Sequence, residues 1–151
     1  ETSQEVQKLL LKAKAEGESY GGIVEMQIKG LPIGLGQPVF KKLKADLASA
    51  LMGIGATTGF EIGEGFQGLN LPGTQFHKDK EGPQYGGIQG GISNGQPLIL
   101  RVGFKPTSSI LDIAKKGRHD PCIVIRAVPV VEAMVMFVIA DHLLWSKTDR
   151  I

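Results

Sequence analysis

Apolar residues first recur at helical spacing, at Val6, Leu9, Leu10 and Ala13, in a stretch that Ser3 can cap and Gly17 can stop. Over residues 20–28 the period shortens, with Ile23, Val24, Met26 and Ile28 set among polar residues, which predicts a strand. The glycine- and proline-rich segment 30–38 ends it. Residues 39–51 then carry Phe40, Leu43, Leu47, Ala50 and Leu51 on one face and Lys41, Lys42, Lys44 and Asp46 on the other. This is the clearest amphipathic helix in the chain, and Gly53 and Gly55 follow it as caps.

Residues 57–62 and 66–71 read as short strands around a Gly-Glu-Gly turn, and residues 74–85 as a polar loop. Residues 90–93 lead to Asn94-Gly95, a strong hairpin signal, and residues 97–104 form a further strand. Residues 127–144 are the most apolar run. Glu132, Asp141 and His142 interrupt it and it is short for a bilayer, so it reads as a buried core helix and not a membrane span. The order α-β-α-β-β-β-α, with hairpins late in the chain, predicts an α+β fold: an antiparallel sheet packed against long helices in one domain, residues 1–151.

Composition adds constraints to this pattern. At 151 residues and 42% hydrophobic the chain is long enough to bury a real core. A formal charge of +2, with no Lys/Arg block and interleaved aromatics, argues against a nucleic-acid partner. Residues 1–16 are charged and lack the apolar core of a signal peptide. Cys122 is the only cysteine, so no disulfide framework or thiolate metal cluster is expected, as suits a reducing cytosol. His77, His119 and His142 show no metal-ligand spacing, and no metal is expected. Glycine supplies 21 residues, roughly twice the average share of about 7%, in clusters that imply backbone lying close to backbone or to a ligand.

The candidate chemistry gathers near the C-terminal end. Lys105-Pro-Thr-Ser-Ser-Ile110 follows the last strand, and Gly117-Arg-His-Asp-Pro-Cys122 precedes the apolar run. Taken singly, Lys105 reads equally as a surface lysine at a strand end, and Thr107, Ser108 and Ser109 as a turn or cap. Asp120 can be a salt-bridge partner of Arg118 or a cap before Pro121, His119 a structural imidazole, and Cys122 a small buried residue. Together, a lysine, three hydroxyls, Arg118, Asp120 and a glycine-rich hairpin are expected on a few adjacent loops. Hydroxyls and backbone N–H groups cradle phosphate and arginine grips it bidentately, so the combination points to an anion site.

These residues resemble the C-terminal signatures of the chorismate synthase family, carried by Gly90-Gly-Ile-Ser-Asn-Gly95, Phe104-Lys-Pro-Thr-Ser-Ser-Ile110 and Gly117-Arg-His-Asp-Pro-Cys122 through Arg126-Ala-Val-Pro-Val-Val-Glu-Ala-Met134. Gly34-Leu-Gly-Gln-Pro-Val-Phe40, Lys44-Ala-Asp-Leu-Ala48 and Phe60-Glu-Ile-Gly-Glu-Gly-Phe66 extend it upstream. The family's Gly-Glu-Ser-His-Gly motif and catalytic histidines have no match in these residues. Gly82-Pro-Gln-Tyr85 stands where the family has a longer loop, and Ile110-Leu-Asp-Ile-Ala-Lys115 is a shortened link.

The resemblance implies a phosphate-eliminating lyase that converts 5-enolpyruvylshikimate 3-phosphate to chorismate with reduced FMN, a homotetramer, and helices packed between antiparallel sheets. It implies flavin contacts at Gly55, Ala56, Gly90, Lys105, Pro106, Thr107, Ser108, Ser109 and Arg118, and a catalytic role for Asp120 in managing a proton at the flavin. Two rivals stand beside it. One is a non-catalytic unit that binds flavin or phosphate, and the other an unrelated phosphate-binding protein.

Overall fold

Side chains of Leu98–Phe104 alternate strictly between buried and half-buried, and this strand lies at the centre of the sheet. The computed structural model describes residues 2–117 and 119–148. Its helices are α1 (Thr2–Glu16), α2 (Leu43–Met52), α3 (Gly73–Phe76), α4 (Leu111–Lys115) and α5 (Val124–Thr148); its strands are β1 (Gly22–Ile28), β2 (Thr57–Ile62), β3 (Ile88–Gln89), β4 (Ile92–Ser93) and β5 (Leu98–Phe104). β5 is antiparallel to β1 on one edge and to β2 on the other, with Phe104 opposite both Gly22 and Thr57. The expected α+β architecture with an antiparallel sheet is what the chain adopts.

One face of this sheet is covered by helices. Val24 and Ile28 from β1 and Leu98, Leu100, Val102 and Phe104 from β5 meet Leu43, Leu47 and Leu51 of α2 and Ala127, Val131, Val135 and Ile139 of α5. The three α2 leucines fall at i, i+4 and i+8, one stripe of the helix, and are fully buried. Burying each side chain of this kind contributes about 1.5–3 kcal/mol. Where α2 crosses α5, His142 is 2% exposed and its Nε2–H donates to Asp46 Oδ2 at 3.1 Å.

Several expectations are corrected. Residues 66–71 form no strand: Gly65–Asn70 is a 3₁₀ turn with Phe66 and Leu69 exposed, because nothing among the described residues covers them. The amphipathic helix starts at Leu43, not residue 39; Lys42 is extended and Phe40 is 89% exposed. Ser3 lies within α1 and does not cap it. The polar loop carries α3 and a 3₁₀ turn at Pro83–Tyr85.

The hairpin closes not at Asn94-Gly95 but at Gly90-Gly91, where both residues have positive φ (62° and 93°), as a two-residue turn of this hand requires. α5 is buried along one stripe only, and Ile125, Phe137 and Leu144 on its other side are exposed, so it is not the fully buried helix that its composition suggests.

The His142–Asp46 contact gives a direct stability test. Asp46→Ala leaves a buried imidazole without its acceptor, which costs about 1–3 kcal/mol. Urea denaturation should show the midpoint falling with an unchanged slope. An unaltered midpoint would mean that the two helices are held by their apolar stripes alone.

Candidate functional site

At the Phe104 end of the sheet three segments converge because β5 is flanked on both edges. Chain leaving β5 enters the hydroxyl-rich loop 105–109, chain entering β2 arrives from Gly53–Ala56 after α2, and chain entering β1 arrives from the turn after α1. The backbone N–H of Lys105 donates to Ala56 O at 3.0 Å, extending the β2–β5 pairing by one bond. Ala56 sits at φ 68°, unusual for a residue with a side chain. A Cβ built on Gly55 would meet nothing within 4 Å, so the outer side of this turn is open.

The loop 105–109 is held to the Asp120 loop by side-chain-to-backbone bonds. Thr107 Oγ1 donates to Asp120 O at 3.1 Å, and Ser19 Oγ donates to Thr107 O at 2.8 Å. Lys105 and Ser108 are exposed and Ser109 half-buried, and no hydrogen bond or ion pair among the described residues occupies the Lys105 ammonium or the two serine hydroxyls. One short loop thus carries an ammonium and two hydroxyl donors that no other described residue engages.

Asp120 is half-buried. Its Oδ1 accepts the Cys122 N–H at 3.3 Å, and its Oδ2 lies 3.3 Å from Arg126 Nε. The expected partner, Arg118, lies outside the described residues; Arg126, from the first turn of α5, pairs with the carboxylate. Cys122 is half-buried and free. His119 Nε2–H donates to Glu18 O at 2.8 Å, and its Nδ1 is buried without a hydrogen-bond partner among the described residues. Beside these groups runs a cleft of about 480 Å³, lined by Val6, Leu10 and Lys14 of α1 and by His119, Asp120 and Arg126.

The structure therefore gathers Gly55, Ala56, Lys105, Pro106, Thr107, Ser108, Ser109 and Asp120 at one end of the sheet. It does not bring Gly90 there. Gly90 turns the β3–β4 hairpin, next to Gly91, whose carbonyl accepts the Leu43 N–H at the start of α2. That is the Leu98 end of β5, and a seven-residue strand puts roughly 20 Å between its ends. The expectation that the glycine-rich hairpin lies on a loop adjacent to Lys105 fails because sequence order says nothing about which end of an antiparallel strand a turn reaches.

Sequence reasoning also assigned no site role to residues 18–22, although it counted Gly21-Gly22 among the glycine clusters. Here Glu18 O and Ser19 Oγ bond the Asp120 and Thr107 loops, Tyr20 N–H donates to Pro121 O at 2.8 Å, and a Cβ on Gly21 would lie 2.3 Å from Phe104 O. The available signal was the pair Gly21-Gly22 just before a strand, which marks a close backbone approach.

Comparison with known proteins bears on the same residues. The chain matches the family model described as chorismate synthase over residues 1–144. It is 64% identical to the chorismate synthase of Bdellovibrio bacteriovorus, across 98% of this chain and 43% of that protein, and 48% identical to the one from Prochlorococcus marinus strain SARG, across 96% and 48%. A crystal structure of chorismate synthase superposes with a TM-score of 0.80 at 32% identity, over 95% of this chain and 43% of its own. The chain thus spans less than half the length of the relatives it matches. A family match over nearly the whole chain, on the fold and the loops just described, means that it belongs to the chorismate synthase family.

Proposed function

We propose that this chain supplies the flavin- and phosphate-binding end of a chorismate synthase, the lyase that eliminates phosphate from 5-enolpyruvylshikimate 3-phosphate in a 1,4-anti sense to give chorismate. The observation that carries this reading is the convergence of a free ammonium, free hydroxyls, an open glycine turn and a half-buried carboxylate at the Phe104 end of the sheet. Family membership supports it. The same reading makes residues 1–151 one domain of a cytoplasmic enzyme of aromatic amino acid biosynthesis that assembles as a homotetramer.

The residues present fit FMN. The outer side of Gly55 is open, Lys105 offers a cation with no ion-pair partner among the described residues, and Ser108 and Ser109 offer donors of the kind that phosphate oxygens accept. Gly55, Ala56 and the 105–109 loop, together with Arg118, would hold the flavin; Gly90, at the other end of β5, would hold it only in a geometry that this single chain does not form. Reduced FMN supplies the electron density that eases loss of the allylic phosphate, a cofactor role and not a protein one.

The chain's own groups have separate roles. Lys105 and the hydroxyls bind anionic oxygens and fix their position. Asp120 is the carboxylate placed to accept or hold a proton beside them, with Oδ1 anchored by the Cys122 N–H and Oδ2 by Arg126. α1 and the Pro121 segment wall the cleft beside Asp120 with apolar side chains of Val6, Leu10, Leu11, Pro121 and Ile125. His142 is tied to Asp46 within the core and His77 to Tyr85 on the surface, so neither faces this cleft.

Three outcomes test the proposal. Lys105→Ala should weaken FMN binding about ten- to a hundredfold, since a charge-assisted contact contributes roughly 1.5–3 kcal/mol; unchanged affinity in a fluorescence titration would place the flavin elsewhere. In a family-length protein carrying this segment, Asp120→Asn should cut turnover by about 10²- to 10⁴-fold with little change in binding. Normal single-turnover chemistry in a destabilised variant would instead make Asp120 only the structural partner of Arg126. The 151-residue chain alone should bind without turning over; chorismate formed anaerobically at the rate of a full-length relative would contradict this.

A further inference from the structure

The hydroxyl-rich loop would be of little use to a ligand if it moved independently of the Asp120 loop, and its own residues contribute one bond to that relation, from Thr107 Oγ1 to Asp120 O. Lys105 N–H is anchored at one end to Ala56 O. The middle of the loop is anchored by a residue 88 positions earlier in the chain, Ser19, which is 7% exposed and donates through Oγ to Thr107 O at 2.8 Å. Thr107 in turn donates to Asp120 O. The residues on either side of Ser19 bind the same partner loop from the other direction: Glu18 O accepts from His119 Nε2–H, and Tyr20 N–H donates to Pro121 O.

The turn 18–20 therefore contacts both loops at once, while the Lys105, Ser108 and Ser109 side chains bond no other described residue. We propose that Ser19 is a positioning residue of the ligand site: its buried hydroxyl sets the 105–109 loop against the Asp120 loop, at the separation where one anionic ligand meets both. It touches no ligand itself.

The proposal rests on the flavin reading above for its ligand and on the hydrogen bonds alone for its mechanics. Removing the hydroxyl takes the Ser19 donor from Thr107 O and leaves the Thr107 side chain to hold the loop's midpoint to Asp120 O, so donors held in place before binding must be ordered further during it. A comparison residue lies at the other end of the sheet. Ser93 is 3% exposed and its Oγ also holds backbone, accepting from Leu35 N–H and donating to Pro32 O, but it stands away from the Lys105 loop. Substituting it costs a similar buried hydroxyl without touching the site.

The experiment compares Ser19→Ala, Ser19→Thr, Ser93→Ala and Lys105→Ala in the 151-residue chain by FMN titration and melting. Ser19→Ala should weaken FMN binding about five- to tenfold, and Ser19→Thr, which keeps the hydroxyl, should restore it to within about twofold. Ser93→Ala should lower the melting temperature with FMN affinity within about twofold of the unaltered chain. If Ser19 acts through the loop, the Ser19→Ala, Lys105→Ala double variant should lose less affinity than the two single losses combined, whereas an unrelated structural loss is fully additive.

Unchanged affinity in Ser19→Ala beside a weakened Lys105→Ala overturns the positioning role, as does full additivity in the double variant. If FMN does not bind, or Lys105→Ala has no effect, the flavin reading is what fails. The positioning role is then judged by hydrogen exchange, which should run at least about tenfold faster for amides of residues 107–110 in Ser19→Ala than in Ser93→Ala. Equal exchange in the two variants overturns it.

Discussion

β5 is hydrogen-bonded along both edges, and the arrangement of the rest of the chain depends on this. A strand satisfied on both sides cannot slide without breaking two ladders, and its period-two burial ties its register to the core face as well. Its C-terminal end therefore leaves the sheet at a fixed point between the starts of β1 and β2. Antiparallel pairing brings the residues preceding both of those strands to the same point, so the loops 18–21, 53–56 and 105–109 converge there. At Gly21 the approach is so close that a Cβ would collide with the Phe104 carbonyl, and only glycine is compatible with it.

The helix layer reinforces this geometry from beneath. α2 runs from the Leu98 end of the sheet to the Phe104 end, its three leucines locked against β5 and α5, and so delivers Gly53–Ala56 where β2 must begin. α5 starts beside the same end, which brings Arg126 to the Asp120 carboxylate and ties the rear of the site to the buried α2–α5 interface. His142 and Asp46 link the two helices further along. Site and core are thus two ends of one packed unit, and substitutions that loosen α2 against α5 should be felt at Gly55 and Lys105.

How much of this was legible in the sequence depends on whether a residue's role is local. β1, β5 and the leucine stripe of α2 follow from periodicity, because each buries one face and the period records it. Lys105, Thr107, Ser108, Ser109 and Asp120 stand out because donors, cations and a carboxylate are dense over a few residues. Phe66 and Leu69 misled because apolar residues at alternating positions look like a strand whether or not a layer exists to cover them, and here they are exposed. Gly90 misled because it belongs to a convincing glycine-rich hairpin whose position relative to Lys105 is a matter of topology. Ser19 left no pattern at all, since a single serine before two glycines becomes informative only when the fold brings Thr107 to it.

The proposed flavin site lies at the Phe104 end of the sheet. Titrating the ¹⁵N-labelled chain with FMN while recording amide chemical shifts tests it without relying on activity or on any substitution. Shifts should concentrate at Gly55, Ala56, Lys105 and residues 107–109, and spread to Ser19 and Asp120, with Gly86–Gly91 and Leu43 unmoved. A pattern centred on the β3–β4 hairpin and the start of α2, with the 105–109 loop unaffected, would put the site at the opposite end and contradict it.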